Sequence, residues 1–398
     1  MQDVCYNILL NVKWAFCIRF APRKGAVNMR ILHTGDLHLD SPFSGLDISH
    51  AEKRRRELRE TFSRMMRYAR DEKLDMVVIA GDLFDSAFVT RETVALLVKE
   101  FSSLECPVVI APGNHDPFVK GGIWEKTAFP KNVYIFKENS ISSFEFEKLG
   151  CVVYGYAFTR TNENECLVKG VVNDPDKINI LVAHGDTVSP ISTYAPLPLA
   201  ALRSFGADYC ALGHIHNTEA ANESLVNIGA YCGCPEGRDF GELGEKGALV
   251  VTVDKEGSPD VSFVRFSKRA YIVRTLNVDG AADAVAVNSA IDACIRECSD
   301  GGENLVRITL TGSVSPELVL STDALCENTR GLFHLEIEDA TSPTWNAEGL
   351  STDPGIRGEL YRTLLPRLES ENEEDRKCAA TALRYALAAL AGEDISEL

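Results

Sequence analysis

Asp36, His38, Asp82, Asn114, His115, His184, His214 and His216 are the residues whose types and spacing could do chemistry, and each follows closely on a short apolar run. Carboxylate, imidazole and amide donors together suit two divalent metal ions, with Mn²⁺ favoured and Fe or Zn also compatible. A structural zinc would need fewer ligands and would draw on thiolates. The reaction that suits such a pair is hydrolysis of a phosphoester. No single motif carries this reading, since Asp-Leu-His is common and a lone His184 would read as a core histidine. The series of five such endings, in order, carries it.

Residues so far apart must be gathered by the fold, and the apolar runs indicate how. Arg30–Thr34, Met76–Ala80, Val108–Ala111, Ile178–Ala183 and Tyr209–Leu212 predict short buried strands. They lead into Gly35-Asp36-Leu37-His38, Gly81-Asp82-Leu83-Phe84-Asp85, Gly113-Asn114-His115-Asp116, His184-Gly185-Asp186 and Gly213-His214-Ile215-His216. Open α/β sheets bind ligands at this C-terminal strand edge. If the backbone stays extended, Asp36 and His38 face one side, as do His214 and His216. Ser49 and Glu52 predict a capping box for a helix with Leu58, Phe62, Met65, Met66 and Ala69 on one face. A second helix is expected over 90–104, and further strands at 151–156, 224–228, 247–253 and 260–266. The fold class expected is α/β, a two-layer αββα sandwich.

From about residue 270 the pattern changes to a small C-terminal α+β cap domain. It comprises strands at Tyr271–Leu276, Asn304–Leu310 and Leu332–Ile337, and helices near 281–298, 354–368 and 371–391. The last helix carries Ala379, Ala382, Leu383, Ala386, Leu387 and Leu390, a stripe able to close the cap's own core or dock a partner helix. The expected organisation is an N-terminal extension without a role (1–28), a catalytic domain (29–269), and a cap or partner-docking domain (270–398).

A chain of 398 residues with no long uncharged apolar stretch predicts no membrane span, and its 12 scattered cysteines predict reduced thiols in a cytoplasmic protein. The near-pairs Cys232/Cys234 and Cys294/Cys298 lack partners at zinc-site spacing. The net charge of −17 is uneven: residues 271–398 hold 10 basic and 23 acidic residues, whereas 51–70 hold 8 basic and 3 acidic. The acidity argues against non-specific coating of duplex nucleic acid, but not against a nuclease, because phosphate binding follows local potential. The basic face from Lys53 to Arg70 reads as a solvated helix surface or a phosphate-backbone track. His33 reads as a core histidine, and His50 and His334 have no partner series. Asp40, Asp116 and Asp186 read as turn residues or as supports for the ligands. Pro190, Pro196 and Pro198 stiffen a loop that could wall a substrate cleft.

Taken together, Asp36-x-His38, Gly81-Asp82-x-x-Asp85, Gly113-Asn114-His115-Asp116, His184 and Gly213-His214-x-His216 resemble the signature of the calcineurin-like metallophosphoesterases. The run from Ile31 to Phe43 with Gly81–Asp85 is similar to the SbcD-like DNA repair exonucleases. The run Cys234–Phe240 with Gly241–Gly247 is similar to their YhaO-like branch. The superfamily resemblance covers about 29–266. It implies one ion on Asp36, His38, Asp82 and His216, and a second on Asp82, Asn114, His184 and His214, with Asp82 bridging. His115 would be the general acid and Asp85 would orient it. The resemblance also implies DNA as substrate, 3′→5′ exonuclease action and an SMC-like ATPase partner, with a homodimer compatible. The rival readings are a phosphodiesterase or phosphatase for a small nucleotide or phosphoprotein, and an idle scaffold on the same fold.

Overall fold

The first strand, β1 (Met29–Thr34), buries Ile31 on one face and Leu32 on the other, so its sheet must be covered on both sides. The computed structural model describes residues 28–391 apart from 256, 299–302, 316, 317, 319, 328, 330 and 345. The extension expected over 1–28 therefore lies, up to residue 27, outside the described residues. After β1 come α1 (Ile48–Asp71), β2 (Met76–Ile79), α2 (Arg91–Ser102), β3 (Val108–Ile110), β4 (Val133–Ile135), β5 (Ser142–Phe146) and β6 (Cys151–Gly155). Then follow β7 (Ile178–His184), β8 (Tyr209–Gly213), β9 (Gly229–Tyr231), β10 (Gly247–Val253) and β11 (Asp260–Arg265).

Two sheets result. One has six strands in the order β11-β10-β1-β2-β3-β4, parallel from β1 to β4. The other has five in the order β5-β6-β7-β8-β9, parallel from β6 to β9. Met76, Val78 and Val109 of the first sheet pack against Val153, Ile180 and Val182 of the second. Leu58, Phe62 and Met65 of α1, with Leu97 and Phe101 of α2, cover the outer face of the first sheet. Leu202 and Phe205 cover that of the second. This is the αββα sandwich, a mixed α/β fold with two facing sheets between helices.

Some local expectations shift. The cap of α1 is Asp47, whose carboxylate accepts from Ser49 N at 2.9 Å and His50 N at 3.1 Å, because the helix already begins at Ile48. Ser49 is thus inside the first turn and the Ser49/Glu52 box does not form the cap. The strand expected at 224–228 is a turn instead: Ile228 N and Gly229 N both donate to Leu225 O, and pairing starts only at Gly229. Leu225 and Ile228 are apolar because they are buried, not because they are extended.

Beyond β11, β12 (Tyr271–Asn277) and β13 (Leu305–Thr311) form a parallel three-stranded sheet with His334–Asp339. Val287, Ile291 and Ile295 of the helix Ala284–Cys298 pack on Val306, Ile308 and Leu310. In the last helix Leu383 and Leu387 close a small core with Leu350 and Tyr361, while Ala382 and Leu390 of the expected stripe are exposed.

The basic face of α1 divides into two parts. Arg56, Arg59, Arg64 and Arg67 line, with Lys99 of α2, a groove of about 550 Å³. Arg54 is buried and donates to Glu57 at 2.8 Å and to Glu236 at 2.9 Å. Glu57 also accepts from Arg269, and Glu236 from Thr61 and Lys268 N. This network ties α1 to the loop after β9 and to the entry into β12. Removing one member of a buried ion network strands its partner, at about 3–5 kcal/mol. Arg54→Met should lose stability of that order in urea denaturation, and Arg54→Met/Glu236→Gln should regain part of it. A loss in Arg54→Met of under about 1 kcal/mol would show that the network is not dry.

Candidate metal centre

The loops after β1 and β2 are hydrogen-bonded to each other rather than to strands. Asp36 N donates to Gly81 O, His38 N to Asp82 O and Leu39 N to Leu83 O, all at 2.9–3.0 Å. Asp36, His38 and Asp82 all have positive φ, 48°, 45° and 47°. The extended alternation expected of Asp36-x-His38 is therefore not what aims these side chains. Left-handed backbone at non-glycine residues costs about 1–3 kcal/mol each, and it clusters where a site requires it. The room comes from glycine: a Cβ at Gly113 would fall on the Asp82 carboxylate, and one at Gly81 on the His184 ring.

The side chains that result meet at one edge of the sandwich. The oxygens and ring nitrogens of Asp36, His38 and His216 lie within 4.8 Å of one another, as do those of Asp36, Asp82 and His184. His38 Nε2 is 3.4 Å from His216 Nε2 and 3.7 Å from Asp82 Oδ2. His184 Nε2 is 2.9 Å from Asn114 Oδ1 and 3.3 Å from Asp82 Oδ2. Asp36 and Asp82 are almost wholly buried. Asp36 accepts His214 N at 2.9 Å, and Asp82 accepts His115 N at 2.9 Å. The His214 ring stands beside this cluster, 5.2 Å from that of His184 and 5.1 Å from that of Tyr194. Tyr194 belongs to the proline-bearing loop, where Asp186 caps a turn through Val188 N and Ser189 N.

The structure separates the remaining candidates. His115 is exposed, and its Nδ1–H donates to the backbone oxygen of Asp85 at 2.9 Å. The Asp85 carboxylate does not make the contact expected of it: Oδ1 lies 3.3 Å from His38 Nδ1 and 3.2 Å from Arg238. Asp116 holds the Gly113 and Phe84 amides, and Asp40 holds Arg59, Thr90 N and Thr93. His33 is buried against the Tyr209 hydroxyl, and burial pushes it down to about 3. His50 lies in the first turn of α1 with its ring 4.8 Å from Phe333. His334 opens its strand and pairs with Glu336.

Residues 29–218 match the calcineurin-like phosphoesterase family. The chain carries a calcineurin-like phosphoesterase domain. It is similar to the metallophosphoesterase YhaO of Bacillus subtilis (strain 168), 28% identical over 83% of this chain and 86% of that protein. It is also similar to one component of the nuclease SbcCD of Staphylococcus epidermidis, 25% identical over 59% of this chain and 69% of that one. The DNA double-strand break repair protein Mre11 of Methanopyrus kandleri is 24% identical over 72% of this chain and 75% of its own length. The domain is that of a metal-dependent hydrolase. Among the described residues no helix is long and apolar enough to cross a membrane, and the described cysteines are free thiols.

Electrostatics of the phosphoesterase site fit a pair of cations. Burial works against a proton on His216, yet Asp36 and Glu242 outweigh it and raise the group to about 10. Burial is likewise outweighed at His184, where Asp82 and Asp36 raise it to about 9. His184 Nδ1–H donates to Ala80 O at 2.9 Å and Nε2–H to Asn114 Oδ1, so both ring nitrogens face acceptors. The two buried carboxylates thus draw positive charge toward the centre, as they would draw a metal ion. His214 is pushed down by burial to about 4 and is neutral at pH 7.

Sequence reasoning missed Glu242 as a site residue. Its Oε1 accepts His216 Nδ1–H at 2.6 Å, a carboxylate that fixes the ring and leaves Nε2 to face the centre. It lies in the Gly241–Gly247 run already singled out, but nothing local says that this run folds back onto His216. The raised groups generate a prediction. If His184 and His216 ligate the ions, binding displaces a proton from each wherever pH lies below about 9, so affinity falls as pH falls. Calorimetric Mn²⁺ titrations between pH 6 and 9 should show log K rising with pH and release of about two protons. Binding independent of pH would contradict this charge balance.

Proposed function

We propose that this protein is a two-metal phosphodiesterase acting on DNA as a 3′→5′ exonuclease. The observation that carries the hydrolytic part is the meeting of Asp36, His38, Asp82, His184 and His216 from separate strand ends, with both carboxylates buried. Asp36, His38 and His216 would hold one ion and Asn114 and His184 the other, with Asp82 shared and His214 flanking the second. Mn²⁺ suits the donor set, and Fe or Zn would be accepted. Such a pair supplies charge neutralisation of the phosphoryl oxygens and an activated water when bound.

The residues of the chain do the rest. Asp82 turns one oxygen to the centre while the other accepts His115 N, so metal ligation and placement of the acid share one carboxylate. His115 Nδ1–H is engaged by Asp85 O, which leaves Nε2 free to hold the proton given to the leaving alkoxide. That role fits an exposed ring set perpendicular to that of His38, centroids 4.7 Å apart. Support for DNA comes from the similarity to proteins named as part of a nuclease and as a DNA break repair protein. The groove lined by Arg56, Arg59, Arg64, Arg67 and Lys99, with Glu60 and Glu92 among them, adds a surface of net positive charge suited to phosphates. Residues 29–269 would then be the catalytic domain and 270–398 a cap beside its mouth, with an SMC-like ATPase as partner.

Mn²⁺-loaded protein should release nucleotides from 3′ ends of labelled DNA and also cleave activated aryl phosphodiesters. Activity confined to phosphomonoesters or phosphopeptides would overturn the DNA reading and leave the metal chemistry standing. Asp82→Asn should abolish hydrolysis and remove at least one bound ion with the fold intact. His115→Ala should keep both ions and lose about 10²–10⁴ in rate on esters with poor leaving groups, with smaller losses on aryl esters. Equal losses on both would show that His115 is not the acid.

A further inference from the structure

The loop between β9 and β10 touches the candidate centre on one side and the C-terminal sheet on the other. On the site side, the Arg238 guanidinium lies between two carboxylates: Nη1 donates to Asp85 at 3.2 Å, and Nη2 and Nε donate to Glu242 at 2.9 and 3.3 Å. The backbone N–H of Arg238 holds the other Glu242 oxygen at 2.8 Å. Those two carboxylates stand directly behind the rings of His38 and His216. Because His216 Nδ1–H donates to Glu242, the guanidinium nitrogen 3.2 Å from that ring is a neighbour rather than a donor to it. One cation thus sets the position of two carboxylates, one hydrogen-bonded to His216 Nδ1 and the other 3.3 Å from His38 Nδ1.

On the other side the contacts belong to β12 and β13. The Tyr271 hydroxyl donates to Arg238 O at 2.8 Å, and Gly244 N donates to Tyr271 O at 3.0 Å. The Phe240 ring packs edge-on against Tyr271 at 5.0 Å, and the Arg307 guanidinium lies 4.4 Å from the Phe240 ring centre. Displacing the C-terminal sheet would therefore drag Arg238 and Glu242, with no residue of that sheet needing to reach the centre.

We propose that Arg238 is a positioning residue, held by Tyr271, through which the C-terminal sheet sets the affinity of the ion bound by His38 and His216. The proposal rests on the two-metal reading above. It makes the C-terminal region a regulator of metal loading, so that whatever moves that sheet would change occupancy of one ion and leave the other in place. Arginine suits the task because its planar fork spans two carboxylates, which a lysine ammonium cannot do in the same way.

The test is Mn²⁺ titration of the full-length protein by calorimetry and by electron paramagnetic resonance, with melting temperature recorded for each variant. Wild type should bind two ions with a spin-coupled signal; fewer than two would overturn the two-metal reading itself and this proposal with it. Arg238→Met should weaken one ion by about 10–100-fold and leave the other unchanged, so that the coupled signal gives way to a mononuclear one at stoichiometric Mn²⁺. Arg238→Lys should fall between. Tyr271→Phe, a mild change remote from the ligands, should weaken the same ion by about two- to tenfold with little change in melting temperature. Equal weakening of both ions, or of neither, in Arg238→Met would overturn the positioning role. An effect of Arg238→Met with none of Tyr271→Phe would overturn the link to the C-terminal sheet.

Discussion

Two buried carboxylates, Asp36 and Asp82, must be kept ionised inside the sandwich, and the arrangement around them follows from that constraint. A carboxylate out of water persists only when hydrogen-bonded and paired with positive charge. Here each accepts a backbone N–H and faces histidines that burial alone would neutralise. The same geometry that stabilises the two negative charges makes the site receptive to cations. Stability of the fold and affinity for cations are therefore set by the same contacts.

Meeting this constraint shapes the backbone. Parallel strands deliver their C-terminal ends to one edge, but delivery alone would leave the side chains pointing along the two faces of each sheet. Left-handed turns at Asp36, His38 and Asp82 redirect them inward, locked by the hydrogen bonds between the loops after β1 and β2. The strain of these turns is offset by the large apolar core on both sides of the first sheet. Gly81 and Gly113 matter here for what they leave empty, since a methyl group at the first would displace the His184 ring and one at the second the Asp82 carboxylate.

Charge also organises the contact between the sandwich and the sheet that follows it. The buried Arg54–Glu57–Arg269 and Arg54–Glu236 pairs lie at the root of β12, and the Arg238–Glu242 pair lies between β12 and the centre. Ion pairs of this kind add little net stability against an apolar alternative, but they demand one geometry. Joining two bodies through directional contacts gives a defined orientation, which a greasy interface of the same size would specify less sharply.

Much of this was legible in the sequence because it is local. Apolar runs of strand length, each ending in glycine beside a ligand-type residue, revealed the strand ends, the α/β class and the residues that meet there. Periodicity likewise exposed the buried face of α1, and in the last helix it found the buried Ala379, Leu383 and Leu387 but also the exposed Ala382 and Leu390. Local pattern failed where two local signals compete, as at Ser49 against Asp47, and at Leu225–Ile228, where burial without extension imitates a strand. The partnerships across the chain belong to tertiary structure alone. Asp85 presents its backbone oxygen to His115 and its carboxylate to His38, and Glu242 folds back on His216, because of how distant segments are laid against each other. A carboxylate's identity can be read from sequence, but the direction in which it points is decided by φ, ψ and packing, which no spacing encodes.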